Sequence, residues 1–322
     1  MHQISDRLVT VFGGSGFVGR HVVRALARRG YRVRVAVRRP DLARFLMTAG
    51  AVGQVHGVQA NLRYPDSVEA ACEGADAVVN LVGILHESGR NGFEAVQAFG
   101  PGAIGRAAKS AGARHYVHVS AIGADAESAA VYARTKAKGE AAARDAFPDV
   151  VIHRPSIVFG PEDGFFNRFA AMARIAPALP LIGGGHTRFQ PVFVGDVAAA
   201  VVEGVDGTAA PGTVYELGGP EVLSFREILE YILKVTNRSR PLLPVPFGIA
   251  HLQGRILEVL PKPPLTADQV TMLKVDNVVS ASAKREGRTL EGLGLEPTTI
   301  EAIVPSYLWR FRKAGQFENM TA

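Results

Sequence analysis

The sequence predicts an α/β protein: a doubly wound parallel sheet with a smaller, mostly helical C-terminal lobe. Three observations carry this. Short apolar runs alternate with helical patterns through residues 1–160, the order that makes right-handed βαβ units. The run Ala77-Val78-Val79-Asn80-Leu81-Val82-Gly83 is almost wholly apolar, as in a strand covered on both faces. A β-rich run, Val9-Thr10-Val11-Phe12, leads into Gly13-x-x-Gly16-x-x-Gly19, which opens a helix.

That first turn is the Rossmann fingerprint in its required context. Gly13 allows the sharp turn, Gly16 removes the Cβ that would hold off a pyrophosphate, and Gly19 lets helix and strand approach. In the helix Val18, Val22, Ala25 and Leu26 share a face, and Gly30 takes the C-cap position. Its free N–H groups and positive dipole end suit phosphates, so residues 1–160 read as a dinucleotide-binding domain and 161–322 as a lobe for substrate or partner contacts.

Arg32–Val37 alternates as a second strand. A chain preferring NAD carries an acid at its end; here Arg38 and Arg39 stand there. A guanidinium binds a 2′-phosphate that a carboxylate would repel, which favours NADP(H). The competing reading is that the two arginines simply cap a surface strand. A third strand over Gln54–Val58 leads into Asn61 and Leu62, which are counted with the cofactor neighbours, and a helix begins near Pro65. The fourth strand brings Leu81, Val82 and Gly83 to its end. A helix over Phe93–Ala111 is broken or cramped by Pro101. His115–Ser120 is a fifth strand, Tyr132–Asp145 a helix and Val150–His153 a sixth strand. Ligands of such sheets sit at the carboxyl ends of the strands, where the glycine turn, Gly83 and Ser120 converge.

Beyond Arg154–Pro161 the pattern changes. Phe165–Ile175 is an amphipathic helix, Leu181–Gly185 a loop, and Pro191–Val197 runs into an alanine-rich helix. A strand near 214–218 rejoins the sheet. Ser224 and Glu227 form a capping box for a helix to Val235. Pro241–Pro264 is proline-rich and apolar, and its start, Pro241–Ile249, either folds onto the lobe or is offered to a partner. The mixed aromatic and basic run Tyr307–Lys313 suits an interface or an anionic lipid surface, or else packs on its own lobe.

The chemistry lies in Tyr132-x-x-x-Lys136, one helical turn apart. An ammonium beside a phenol stabilises the phenolate and lowers its pKa, making an acid/base pair next to a hydride carrier. Ser120 is the hydroxyl available at the end of the fifth strand; Ala121 and Ile122 follow it. The alternative is a packed tyrosine and a solvated lysine.

Composition excludes several classes. Apolar residues make up 47% and charged residues 20%, which fits a globular chain, and no run of some 18 apolar residues occurs. A single cysteine, Cys72, allows no internal disulfide and fits a reducing compartment; the polar Met1–Arg7 carries no secretory signal pattern. The nine histidines show no metal-ligand spacing, so no metal is expected. The net charge of +6, concentrated in Arg20–Arg39, fits phosphate binding, an acidic partner, an anionic membrane surface or a solvated face. Nucleic acid is disfavoured because no aromatic and basic binding motif accompanies the charge.

The glycine triplet, Tyr132-x-x-x-Lys136, Arg154-Pro155 with Phe159-Gly160-Pro161, and Pro191-Val192-x-Val194-x-Asp196-Val197 together resemble the extended and atypical short-chain dehydrogenase/reductase superfamily. The runs Arg134–Glu140, Arg144–Pro148, Phe159–Phe165 and Gln190–Val192, with Leu293–Leu295 through Tyr307–Arg310, resemble more closely the nucleotide-binding accessory subunits of respiratory complex I (NADH:ubiquinone oxidoreductase). That resemblance implies bound NADPH, a role in stabilising or assembling the complex, other complex I subunits as partners and no known turnover or small-molecule substrate. It implies a peripheral place on the cytoplasmic or matrix face of the respiratory membrane. It carries over Gly13, Ser15, Gly16, Phe17, Val18, Gly19, Arg38, Leu81, Val82, Gly83, Tyr132, Lys136 and Pro155 as cofactor neighbours. The enzymatic relatives usually carry a run of hydroxyl residues where this chain has Ala121 and Ile122. If the active position falls on Ile122, one oxyanion donor is missing, a loss of about 100-fold or more in rate. Two other functions remain open: a stand-alone NADP(H)-dependent reductase or nucleotide-sugar epimerase, and a nucleotide-sensing regulator.

Overall fold

The computed structural model describes residues 4–87, 89, 92–261 and 263–313, so residues 1–3 of the polar N-terminal stretch lie outside the described residues. The chain divides into two compact units. The first comprises Met1–Pro155, Gly195–Leu217 and Ala281–Leu295; the second comprises Ser156–Val194, Gly218–Ser280 and Glu296–Ala322.

The first unit begins with strand β1 (Leu8–Phe12), helix α1 (Phe17–Arg28), β2 (Arg32–Val37), β3 (Val55–Gln59), α2 (Pro65–Cys72) and β4 (Ala77–Asn80). It continues with α3 (Phe99–Ser110), β5 (His115–Val119), α4 (Val131–Ala146) and β6 (Val151–Pro155). In the second unit follow β7 (Val158–Phe159), α5 (Phe166–Ile175), β8 (Leu179–Ile182), β9 (Arg188–Phe189) and β10 (Val192–Phe193). Helix α6 (Val194–Asp206) leads back to the first unit and to β11 (Val214–Leu217). Then come β12 (Leu223–Ser224), α7 (Phe225–Val235), β13 (Leu242–Val245), α8 (Phe247–Leu257), α9 (Ala267–Met272) and α10 (Ala281–Arg285). Short turns α11 (Ile300–Ile303) and α12 (Pro305–Leu308) complete the described chain.

Among the described residues the main sheet has seven parallel strands in the order β3-β2-β1-β4-β5-β6-β11. Val9 faces Val33 on one side and Ala77 on the other, so the order reverses at β1. That reversal opens the crevice in which doubly wound sheets take ligands. Strand alternation feeds two cores. Val9, Val11, Val35, Val79 and Val117 pack with Val22, Val23 and Leu26 of α1 and Val201 and Val205 of α6. Phe12, Val78, Tyr116 and Ile152 pack with Ile104 of α3 and with Ala143 and Phe147 at the end of α4.

The structure refines four expectations. Pro101 cramps its helix without breaking it: it lies in the first turn of α3, behind a π turn over Glu94–Ala98. Proline has no N–H for the carbonyl four residues back, that of Gln97, and the ladder widens to an i+5 bond from Phe99 N to Glu94 O. The freed carbonyl lies where α4 comes closest, since a Cβ on Gly139 would sit 2.0 Å from it. Leu181 and Ile182 belong to a strand, β8, which pairs with β13 from Leu179↔Leu242 to Ile182↔Val245. Within the Pro241–Pro264 run Leu242–Val245 form β13 and Phe247–Leu257 form α8; Pro241 and Pro246 flank the strand, and Pro244 is tolerated inside it because β13 pairs on one side only, with β8. The third strand is shifted by one residue, to Val55–Gln59.

The second unit is held by an aromatic cluster. Phe165 packs edge-on against Phe166, Phe169 and Phe225. Tyr307 and Leu308 of the aromatic tail are buried in the same core, and the Tyr307 hydroxyl donates to Asp163 Oδ2 at 2.6 Å. The tail therefore packs mainly on its own unit. No helix among the described residues is long and apolar enough to cross a membrane.

Candidate functional site

The first unit gathers the predicted site residues at the carboxyl ends of its strands. Gly13 follows β1 with φ +79°, a conformation that favours glycine, and a Cβ there would lie 3.1 Å from Leu81 C and Val82 N. A Cβ on Gly19 would sit 2.3 Å from Gly13 O, so helix and turn meet backbone to backbone. Gly16 is different. It is exposed, and a Cβ there would meet only Gly13 O, at 3.3 Å. Its bareness serves something arriving from outside. Gly16 caps α1 without a side-chain hydrogen bond, and no acid sits in the first turn beside Phe17 and Val18. Those amides keep their donors and positive dipole end for an anion, with Ser15 half-buried alongside.

Beyond β2 and β3 an open groove of about 370 Å³ is lined by Arg38, Gln59, Asn61, Tyr64, Asp66 and Ser67. The two arginines part company here. Arg38 lines the groove, whereas Arg39 is bound by Asp41 through two bonds, Nε–Oδ1 at 3.0 Å and Nη2–Oδ2 at 2.8 Å. The Arg39 guanidinium holds the Asp41 carboxyl below its usual range. Asn61 is fixed by Ser67, whose Oγ accepts the Asn61 amide at 3.0 Å, and Leu62 follows it half-buried.

After β4, Leu81 N donates to Phe12 O at 3.0 Å and Val82 N to Asn80 Oδ1 at 3.0 Å, which sets the bend before Gly83. Lys136 and a glutamine flank that glycine: a Cβ on Gly83 would lie 3.4 Å from Lys136 Nζ and 3.9 Å from Gln97 Oε1. Ser120 N donates to His153 O at 2.7 Å and Ile122 N to Pro155 O at 3.0 Å, so β6 fixes both positions. Ile122 holds an aliphatic side chain next to a buried Pro155.

Tyr132 and Lys136 share a face of α4, with Lys136 Nζ 5.9 Å from the Tyr132 ring centroid. The ring also packs edge-on against Phe93 at 6.1 Å. The electrostatics run against expectation. Burial pushes the half-buried Tyr132 phenol up to about 12 and the Lys136 ammonium down to about 8. The lysine stands over the ring and is anchored by Val119 O at 3.4 Å. Burial of the tyrosine thus outweighs any stabilisation of its phenolate.

The residue that the sequence reading missed is Gln97. It is 2% exposed, yet both its amide atoms lack a hydrogen-bond partner, as does Ser120 Oγ. Buried polar atoms are seldom left so, and these lie at the site's inner end. Its signal in the sequence was Pro101, four residues on, which releases the helix at Gln97. The donor set suits a dinucleotide: bare amides at α1 for a pyrophosphate, a polar groove holding Arg38 for an adenosine end, and Lys136, Gln97 and Ser120 for the hydroxyls and amide of the other nucleoside.

An unfolded chain holds the Lys136 proton up to about pH 10.5, whereas the folded one holds it only to about pH 8. Stability of the free protein is therefore expected to rise as pH increases across that interval. Lys136→Met should abolish this rise, stabilise the free protein at neutral pH by on the order of 2–3 kcal/mol, and weaken nucleotide retention at least about tenfold. Urea unfolding at several pH values and nucleotide titration check both signs.

The model of the NAD dependent epimerase/dehydratase family matches residues 9–218. The chain is 34% identical, over 97% of its own length and 80% of the relative's, to NADH dehydrogenase [ubiquinone] 1 alpha subcomplex subunit 9, mitochondrial, of Arabidopsis thaliana. It is also 34% identical to a ceramide reductase of Caulobacter vibrioides, over 61% of this chain and 60% of that one. Among solved structures, an NADPH-dependent quinone oxidoreductase of Escherichia coli complexed with NADPH aligns with a TM-score of 0.73 at 18% identity, covering 94% of this chain and 99% of the other.

Proposed function

Because this chain belongs to the NAD dependent epimerase/dehydratase family, and within it to the family of complex I alpha subcomplex subunit 9, we propose that it is an NADP(H)-loaded accessory subunit of respiratory complex I. It stabilises or assembles the complex from the matrix-side or cytoplasmic face, and it holds the nucleotide as a structural fixture. The observation that carries this reading is the 34% identity, over nearly the whole chain, to a complex I subunit, joined to a nucleotide site in which Ala121 and Ile122, and no hydroxyl residue, follow Ser120.

In this reading the amides at the start of α1 hold the pyrophosphate, and Arg38 takes the 2′-phosphate in its groove. Lys136 and Gln97 hold the far ribose beside Gly83. A bound nicotinamide supplies hydride chemistry. The chain's own residues are poorly set to use it: with its phenol at about 12, Tyr132 holds its proton tightly, and the position after Ser120-Ala121 offers no second hydroxyl.

One observation favours a second reading. Ser120 Oγ is buried without a partner next to an intact Tyr132–Lys136 pair, as a carbonyl reductase would need, and the identity to a ceramide reductase points the same way. Native gels of solubilised membranes separate the two. The accessory-subunit reading expects the chain to migrate with complex I and the complex to lose abundance when the chain is deleted. A chain found wholly apart from the complex, consuming NADPH with a carbonyl compound, overturns it in favour of the reductase.

A further inference from the structure

Five exposed aliphatic side chains of the second unit lie together on α8 and its exit. Ile249 is 53% exposed, Leu252 61%, Ile256 64% and Val259 87%, with Leu260 exposed beside them. Their spacing of three, four and three residues places them on one helical stripe. The opposite side carries the small residues Ala250 and Gly254, both buried. There α9 packs so closely that a Cβ on Gly254 would lie 2.6 Å from Ala267 N. The helix thus packs through Phe247, Ala250 and Gly254 and leaves Ile249, Leu252 and Ile256 bare. An apolar helical stripe ordinarily faces a covering surface.

We propose that this stripe docks on an anionic phospholipid surface, with α8 lying in the interfacial plane and its aliphatic side chains among the acyl chains. The charge pattern selects this occupant. Between Thr236 and Pro264 the sequence holds Arg238, Arg240, Arg255 and Lys262 against one acid, Glu258. Arg255 is exposed at the edge of the stripe. Glu258 is exposed, and its Oε1 is engaged in accepting the Ala267 amide at 2.8 Å. Arg238 and Arg240 donate to the carbonyls of Phe311 and Ala173, which leave their charge unneutralised. The side chains of the stripe are all Leu, Ile and Val, whereas protein hot spots favour Trp, Tyr and Arg. An aliphatic stripe with Arg255 at its edge, in a segment of net positive charge and on a helix of only 11 residues, lies on a bilayer and does not span it. This inference is independent of the nucleotide reading.

The test is flotation of the purified full chain with two kinds of vesicle, phosphatidylcholine alone and phosphatidylcholine mixed with phosphatidylglycerol. The chain is expected to float with the anionic vesicles. Leu252→Gln/Ile256→Gln should reduce binding at least about tenfold at an unchanged unfolding midpoint. Arg255→Glu, which keeps the stripe intact, should weaken binding to the anionic vesicles alone. No flotation, equal flotation with both vesicle types, or full binding by the double variant overturns the proposal. So does light scattering showing a dimer that the double variant dissociates, because the stripe then faces a second copy.

Discussion

Arg38→Asp is expected to weaken NADP(H) binding by about 100-fold or more while leaving NAD(H) binding within about threefold. Arg38 is the one cation lining the groove, and Asp66 is the one acid there. A 2′-phosphate entering that groove meets one attraction and one repulsion, so Arg38 decides the sign. A charge-assisted bond contributes about 1.5–3 kcal/mol, and a fork can make two. Reversing the charge removes the bonds and adds a second carboxylate to face the phosphate. Arg39 supplies the control. Its guanidinium is already paired in two bonds with Asp41, so Arg39→Ala should change affinity for either nucleotide by no more than about threefold. Titration of the stripped protein with each dinucleotide reads the outcome. Equal losses for both nucleotides in Arg38→Asp would show that Arg38 supports the groove without choosing its ligand. Recovery of NAD(H) alone from the denatured protein would overturn the choice of cofactor altogether.

The contrast between the two arginines shows where sequence reading ends. Periodicity located the six strands and four helices around the glycine turn because each has one apolar period and a glycine or proline at its end. The convergence of the glycine turn, Gly83 and Ser120 follows from the alternation of strands and helices alone. That Arg39 is held aside while Arg38 lines the groove depends on Asp41, a surface acid that any reading of residues 38 and 39 passes over. The direction of the Tyr132 shift was also hidden, since spacing gives the neighbour and not the depth of burial. Gln97 was hidden in an alanine-rich helix, where a glutamine normally faces water; the π turn and the close approach at Gly139 turn it inward. In the second unit, β8 and β13 do not show as strands in the sequence because each holds a proline and only four residues, too few for alternation to show.

Glu140→Ala is expected to cost about 3–5 kcal/mol of stability, a loss on the largest scale for a single substitution here. Glu140 is 1% exposed and receives both arms of Arg154, Nε–Oε1 at 2.8 Å and Nη2–Oε2 at 2.7 Å, with Arg144 Nη2 at 3.6 Å. Truncation leaves a half-buried guanidinium on β6 without its counter-charge, whereas burying the intact pair gains little over an apolar pair of equal volume. Glu140→Leu/Arg154→Leu should therefore be closer to wild type than Glu140→Ala, a non-additive cycle readable by urea unfolding. The same carboxylate acts on the site. It lies one helical turn beyond Lys136 and raises the affinity of that ammonium for its proton against the lowering by burial. Glu140→Gln, which keeps the shape, should let the Lys136 pKa fall below about 8, so that the pH-dependent gain in stability begins at lower pH. A purely structural carboxylate would lower stability equally at every pH. A displaced onset makes Glu140 the residue that keeps Lys136 charged for the nucleotide it holds.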